Sequence, residues 1–183
     1  MTRKEALKLV EEKIQNKNLI KHCLAVEVVM KELAKYFNEN TEKWALAGLL
    51  HDIDYEETKD TPEKHSLLGA ETLQQHGIDS EIITAIKAHN EIHGLPREDK
   101  MTKALFCSDP ITGLIVAATL VMPKKKIIDL SAENVLNRYK EKGFARGASR
   151  ETIATCEELD LSLEEFVRIS LRAMQSISKE LGL

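Results

Sequence analysis

The sequence predicts an all-α fold, a bundle of amphipathic helices, and three observations carry that reading. Apolar residues recur at helical spacing along nearly the whole chain, and no segment alternates apolar and polar residues over a strand's length. The 183 residues include only four prolines and eight glycines, with 43% apolar and 31% charged side chains, which is the profile of a helical globular protein.

The first helix is predicted to run to about Gln15, where Asn16-Lys17-Asn18 breaks the pattern. A second follows from about Ile20 to Phe37 with His22 near its start, and a third from about Thr41 to His51. That third helix carries Trp44-Ala-Leu-Ala-Gly-Leu-Leu, apolar on every side and therefore central. The polar run from Asp54 to Asp60 reads as a loop, and Thr61-Pro62 as the N-cap and first position of a helix reaching about His76. Gly77 supplies a C-cap, Asp79 or Ser80 starts a helix to about Ile92, and Gly94-Leu95-Pro96 ends it. A helix from about Lys100 leads to Ser108-Asp109-Pro110, and Pro123 closes the apolar segment that follows. Further helices are expected near Ser131–Lys142, Ser149–Leu159 and Ser162–Leu181, the last opened by a capping box of Ser162 and Glu165.

The length suits one domain, with room for a helical appendage. Net charge is −4 and the charges are interspersed, so no basic surface is available to grip nucleic acid; Lys124-Lys125-Lys126 reads as a solvated helix start. Cys23, Cys107 and Cys156 are odd in number, widely spaced and flanked by apolar residues, as in reduced, packed cysteines. The amino terminus is charged and amphipathic rather than signal-like, and Ile111 to Met122 is too short to span a bilayer. A cytoplasmic protein without a membrane partner is expected.

The chemistry begins at His51-Asp52, where the buried third helix ends. Adjacent helical residues point about 100° apart, so the two meet one ion only if it sits beside the helix end. A buried ionised carboxylate without a partner costs several kcal/mol, so positive charge is expected beside Asp52. Taken alone, the pair is as well explained by Asp52 capping the next turn and His51 binding a carbonyl. Asp109 before Pro110 is equally a standard helix start, and an isolated His22 sits comfortably neutral inside a fold.

Their combination is more specific. His22 within Lys-His-Cys-Leu-Ala-Val, His51-Asp52 within Ala-Gly-Leu-Leu-His-Asp-Ile-Asp, and Asp109 after Ser108 follow one another on three apolar helices. In this order the chain resembles the HD-domain phosphohydrolase superfamily over roughly residues 18–122, leaving about 124–183 as a carboxy-terminal helical extension within a single domain, 1–183. The resemblance implies an HD-domain-like helical bundle around a central divalent metal site, with His22, His51, Asp52 and Asp109 as ligands. Some relatives hold a second metal through two further histidines in the interval occupied here by His65 and His89.

A ligand set of imidazole and carboxylate without thiolate suits Mn²⁺, Fe²⁺, Co²⁺, Zn²⁺ or Mg²⁺, one or two per chain. Such an ion activates water and neutralises phosphoryl charge. In a dinuclear arrangement Asp52 bridges the ions; in a mononuclear one Asp54 or a nearby histidine guides the proton. Asp54, Glu56 and Glu57 form an acidic loop of which Asp54 is the best placed, whereas His76 and His93, each before a glycine at a helix end, fall outside the site. Lys21, Lys64, Arg146 and Arg150 are the candidate phosphate contacts. The expected partner is a small phosphate ester or a nucleotide.

The chain departs from several branches of the superfamily. It lacks a Gly-Tyr-Pro motif after the HD pair, which disfavours cyclic-dinucleotide phosphodiesterases. Tyr55 stands where nucleotidase branches place a glutamate, and the adjacent acids of alarmone hydrolases are shifted. Two alternatives stay open: hydration or di-iron oxygenation on the same scaffold, and a metal- or nucleotide-binding module without turnover.

Overall fold

The computed structural model describes residues 1–183, and its regular elements are all helical. Helix α1 (Arg3–Lys13) opens on a capping box in which the Thr2 hydroxyl takes the Glu5 amide and Glu5 returns to the Thr2 amide. Asn16 accepts from the Asn18 amide and so starts α2 (Lys17–Tyr36) three residues earlier than its apolar pattern predicts. Helix α3 (Thr41–Leu50), capped by Asn40, packs along α2.

That packing depends on Gly48. A Cβ built there would lie 2.8 Å from the Val26 carbonyl oxygen and 2.9 Å from the Glu27 Cα, both main-chain atoms of α2. Only a glycine lets the two backbones approach this closely, and the approach brings His22 on α2 beside His51 at the end of α3.

The segment after His51-Asp52 differs from its expected form. A short helix, α4 (Tyr55–Thr58), occupies the predicted loop, and Thr61-Pro62 leads into turns rather than a helix. Helix α5 (Leu67–Gln75) begins only at Leu67, after Ser66 in the left-handed region at φ 70°. The reason is tertiary: the Asp54 carboxylate accepts the Gly69 amide at 2.7 Å and caps α5 from a distance. His65 is therefore presented on a turn, not on the helical stripe its spacing suggests.

Helix α6 (Ser80–His89), capped by Asp79, ends at His89, and Glu91–His93 form a separate 3₁₀ turn. Helix α7 (Lys100–Leu120) runs unbroken through Pro110. A proline there leaves the Phe106 carbonyl without its usual helical donor. Phe106 and Pro110 both line a cleft. By length and composition α7 is apolar enough to cross a membrane, but most of its surface is buried against α2, α6 and the later helices.

Beyond α7 come α8 (Ala132–Lys140), α9 (Arg150–Ala154) with a 3₁₀ turn at Thr155–Leu159, α10 (Leu163–Ser176) and α11 (Ser178–Leu181). Ser162 accepts from the Glu165 amide, which makes half of the expected capping box. The predicted last helix is broken at Ile177, whose φ of −118° is not helical. Ile153, Phe166, Val167 and Met174 join Leu33, Leu50 and Leu114 in one continuous apolar core. The extension is thus built into the same core as the residues before it.

Candidate metal centre

His22, His51, His65 and His89 come together with Asp52 and Asp109 at the meeting point of α2, α3, α6, α7 and the His65 turn. The His22 Nε2 lies 3.1 Å from an Asp109 oxygen, 3.6 Å from Asp52 Oδ2 and 3.2 Å from the His51 Nε2. The other oxygen, Asp52 Oδ1, lies 3.4 Å from the His51 Nε2, 3.3 Å from the His65 Nε2 and 3.6 Å from the His89 Nε2. Asp52 therefore touches all four imidazoles, and its two oxygens divide them into two neighbouring groups.

The outer nitrogen of each ring is already engaged. His51 Nδ1 donates to the Gly48 carbonyl at 2.8 Å and His89 Nδ1 to the Ile86 carbonyl at 2.6 Å. His65 Nδ1 donates to Asp54 Oδ1 at 2.9 Å. The Thr112 hydroxyl gives its proton to the Asp109 carbonyl, so it accepts from His22 Nδ1 at 3.1 Å. These partners place a proton on Nδ1 in every ring and turn four Nε2 atoms inward, each offering a lone pair when its ring is neutral.

Lone pairs so arranged repel one another unless a cation lies among them. His22 and His51 meet Nε2 to Nε2 at 3.2 Å, and so do His65 and His89. Two triads, His22-His51-Asp109 and His51-Asp52-His89, each have ligand atoms close enough to share one ion. The donor set therefore fits divalent metal, with His22, His51, Asp52 and Asp109 around one position and Asp52, His65 and His89 around a second.

Electrostatics agree. Burial pushes the Asp52 carboxyl up, but His51, His65 and His89 outweigh it and hold it well below the usual carboxylate range. Asp109 is lowered in the same way, burial being overcome by His22. Burial holds His51 down at about 4, against the pull of Asp52. At His65 burial also lowers the pKa, but Asp52 and Asp54 prevail and raise it to about 9. The carboxylates stay ionised and call for positive charge.

Asp54 has a different place from the one expected of a proton guide. Both its oxygens are occupied, by His65 and by the Gly69 amide, and its side chain is only 4% exposed. It orients His65 rather than meeting substrate. Glu56 turns away and accepts the Gln15 and Asn16 amides.

Five of the six, His22, Asp52, His65, His89 and Asp109, line an open cleft of about 450 Å³, with His51 buried behind them. Its walls include Leu19, Tyr55, Asn90, Glu91, Phe106 and Pro110, with Gly147, Ser149 and Thr152 from the extension. No lysine or arginine lines it. Lys21 lies instead beside a separate groove with Leu181, Gly182 and Leu183, and Lys64 and Arg146 are exposed outside the cleft. Arg150 spends its guanidinium on main-chain carbonyls. The expected cationic contacts to phosphate are thus not in the cleft: Lys21 sits on another side of α2, Arg150 is held by backbone, and Lys64 and Arg146 face solvent.

His93, placed outside the site on sequence grounds, and Asn90 support the site from behind. His93 Nε2 donates to the His65 carbonyl at 2.8 Å, and the Asn90 amide donates to the Pro62 and His65 carbonyls at 2.9 and 3.1 Å. Together they clamp the turn that presents His65. Tyr55 meets the same ring edge-on at 5.3 Å. Only contact across the fold identifies these roles.

The HD domain profile matches residues 19–118, more than half of the chain and the whole ligand set. The chain belongs to the HD-domain family. Among curated relatives, this HD-domain chain is 28% identical over 137 residues to a ribonuclease Y of Lawsonia intracellularis, covering 73% of this chain and 26% of that protein. A ribonuclease Y of Nitratidesulfovibrio vulgaris is 28% identical over 141 residues, with 74% and 26% covered. A tRNA (cytidine(56)-2'-O)-methyltransferase of Thermoplasma volcanium is 26% identical over 138 residues, with 72% and 39% covered. The chain spans about a quarter of the length of these two ribonuclease Y relatives.

Proposed function

We propose that this HD-domain chain is a cytoplasmic hydrolase of a small phosphate ester, working with one or two divalent ions. The observation that carries the reading is the inward set of four Nε2 atoms around Asp52 and Asp109 at the floor of an open cleft. Held by His22, His51, Asp52 and Asp109, with a second position at Asp52, His65 and His89, such ions supply acidified water and charge neutralisation for phosphoryl transfer.

The chain's own residues do the rest by position. Gly48, Ile86, Asp54 and Thr112 each engage a Nδ1, so the inner nitrogens are the ones aimed at the metal positions. Asp109 is the more open carboxylate, at 38% exposure against 9% for Asp52, and faces arriving substrate. With no lysine or arginine in the walls, the phosphoryl group is drawn to the floor of the cleft.

The test is hydrolysis of p-nitrophenyl phosphate and of mononucleotides by protein loaded separately with Mn²⁺, Co²⁺, Fe²⁺, Zn²⁺ and Mg²⁺. Activity that chelator removes and that His51→Ala lacks is expected. Activity indifferent to chelator contradicts the reading.

A second reading has the ribonuclease Y relatives in its favour: the ester is then a phosphodiester of RNA. The walls free of cations argue against a long polyanion, since binding to nucleic acid rests on phosphate contacts by Lys and Arg. Cleavage of a short single-stranded RNA in preference to mononucleotides decides for this second reading.

A further inference from the structure

Outside the region matched by the family, the stretch between α8 and α9 contributes a wall to the metal cleft. This stretch contains Gly143 and Gly147, and Ala145 lies in the left-handed region at φ 44°, so its local sequence does little to order it. Arg150 orders it instead. Its guanidinium donates to six backbone carbonyls between residues 138 and 148, at 2.6–3.4 Å, and the Tyr139 hydroxyl donates back to the Arg150 carbonyl at 3.0 Å. A planar fork of five N–H groups is thereby committed to holding one irregular segment in place.

What the segment holds is Ser149 and Thr152, both facing the cleft. The Thr152 hydroxyl donates to the Ser149 oxygen at 2.8 Å, which leaves the Thr152 lone pairs free to accept. Glu91, another lining residue, forms no ion pair or side-chain hydrogen bond, so its carboxylate is also a free acceptor. A wall of acceptors without a cation complements hydrogen-bond donors that carry no negative charge.

We propose that this wall selects the leaving group: it takes the neutral, hydroxyl- or amino-bearing part of a phosphomonoester and rejects a second phosphate, with Arg150 as its positioning residue. The proposal rests on the phosphate-ester reading above. It places selectivity in a rim where Ser149 and Thr152 of the extension meet Glu91 of the HD-matched region, and chemistry at the ligands below.

The experiment compares metal-loaded wild type, Thr152→Val, Glu91→Gln and Arg150→Lys on four probes. These are phenyl phosphate, hexose phosphates, ribonucleoside 5′-monophosphates and the matching triphosphates. Wild type is expected to prefer a hydroxyl-bearing monophosphate over both phenyl phosphate and the triphosphate. In Thr152→Val and Glu91→Gln the ratio of kcat/KM for that ester to kcat/KM for phenyl phosphate should fall about tenfold, mainly through KM, as loss of one hydrogen bond predicts. Arg150→Lys should lower the same ratio at unchanged metal content.

Equal loss on both esters, or preference for the triphosphate, overturns the wall. Glu91 is exposed, so Glu91→Gln answers the question even if Arg150→Lys fails to fold. A wild type that hydrolyses no phosphate ester with any metal overturns the underlying reading, a result distinct from an active enzyme whose variants keep their preference.

Discussion

At the scale of single residues, the site works because each ring nitrogen that faces outward has a fixed partner. Asp54 is the most informative of these partners, since it ties His65 and starts α5 at once. Asp54→Asn removes the charge behind His65 and should weaken binding at the second position by about 10- to 100-fold while the first position keeps its ion, as measured by metal titration. Equal affinity in the variant would place Asp54 outside metal binding. In the metal-free protein, the pKa of His65 lies at about 9 against an ordinary 6.5. Its folded value is the higher, so the stability it contributes is complete below about pH 6.5 and is lost as pH rises through about 9. Metal must displace that proton, so second-site affinity should climb over the same interval; a titration flat from about pH 6.5 to 9 would contradict this. His22, His51, Asp52 and Asp109 stand out in the sequence through their order on three apolar helices, since each alone is as well explained by a cap or a packed histidine. Thr112, Asn90 and His93 are not legible, because their roles arise from partners distant in the chain or across a turn.

At the scale of elements, the approach of α3 to α2 decides whether His22 and His51 can share an ion. Gly48→Ala sets a Cβ 2.8 Å from the Val26 carbonyl oxygen, where only movement of backbone makes room. The expected loss is about 1–3 kcal/mol in denaturant unfolding, together with weaker metal binding. An unchanged unfolding midpoint would show that the two helices have room to spare. Most helices are readable from apolar spacing and caps: Asp79 and Ser162 cap the helices they are expected to open, and Asn16 and Asn40 do the same for α2 and α3. The start of α5 is not readable, because its cap is Asp54, fifteen residues before the Gly69 whose amide it accepts. The passage of α7 through Pro110 is hidden for a related reason: Asp-Pro signals a helix start locally, and only the folded chain shows one unbroken helix from Lys100 to Leu120.

At the scale of the whole molecule, one apolar core joins the family-matched residues to the extension, and the cleft lies where they meet. The sequence pointed to an HD-type centre but misplaced its surroundings. Lys21 and Lys64 flank ligands along the chain and Arg146 lies in the glycine-containing segment before Arg150, whereas the folded walls are polar, apolar and acidic. Charge can be read along a chain, but which loop faces a cleft is settled by tertiary packing. The central claim is that these six side chains hold metal. Elemental analysis of protein purified without chelator, beside His51→Ala and His65→Ala, tests it most directly: two equivalents in wild type and the loss of one in His65→Ala are predicted, and a His51→Ala protein with as much metal as wild type would contradict the account.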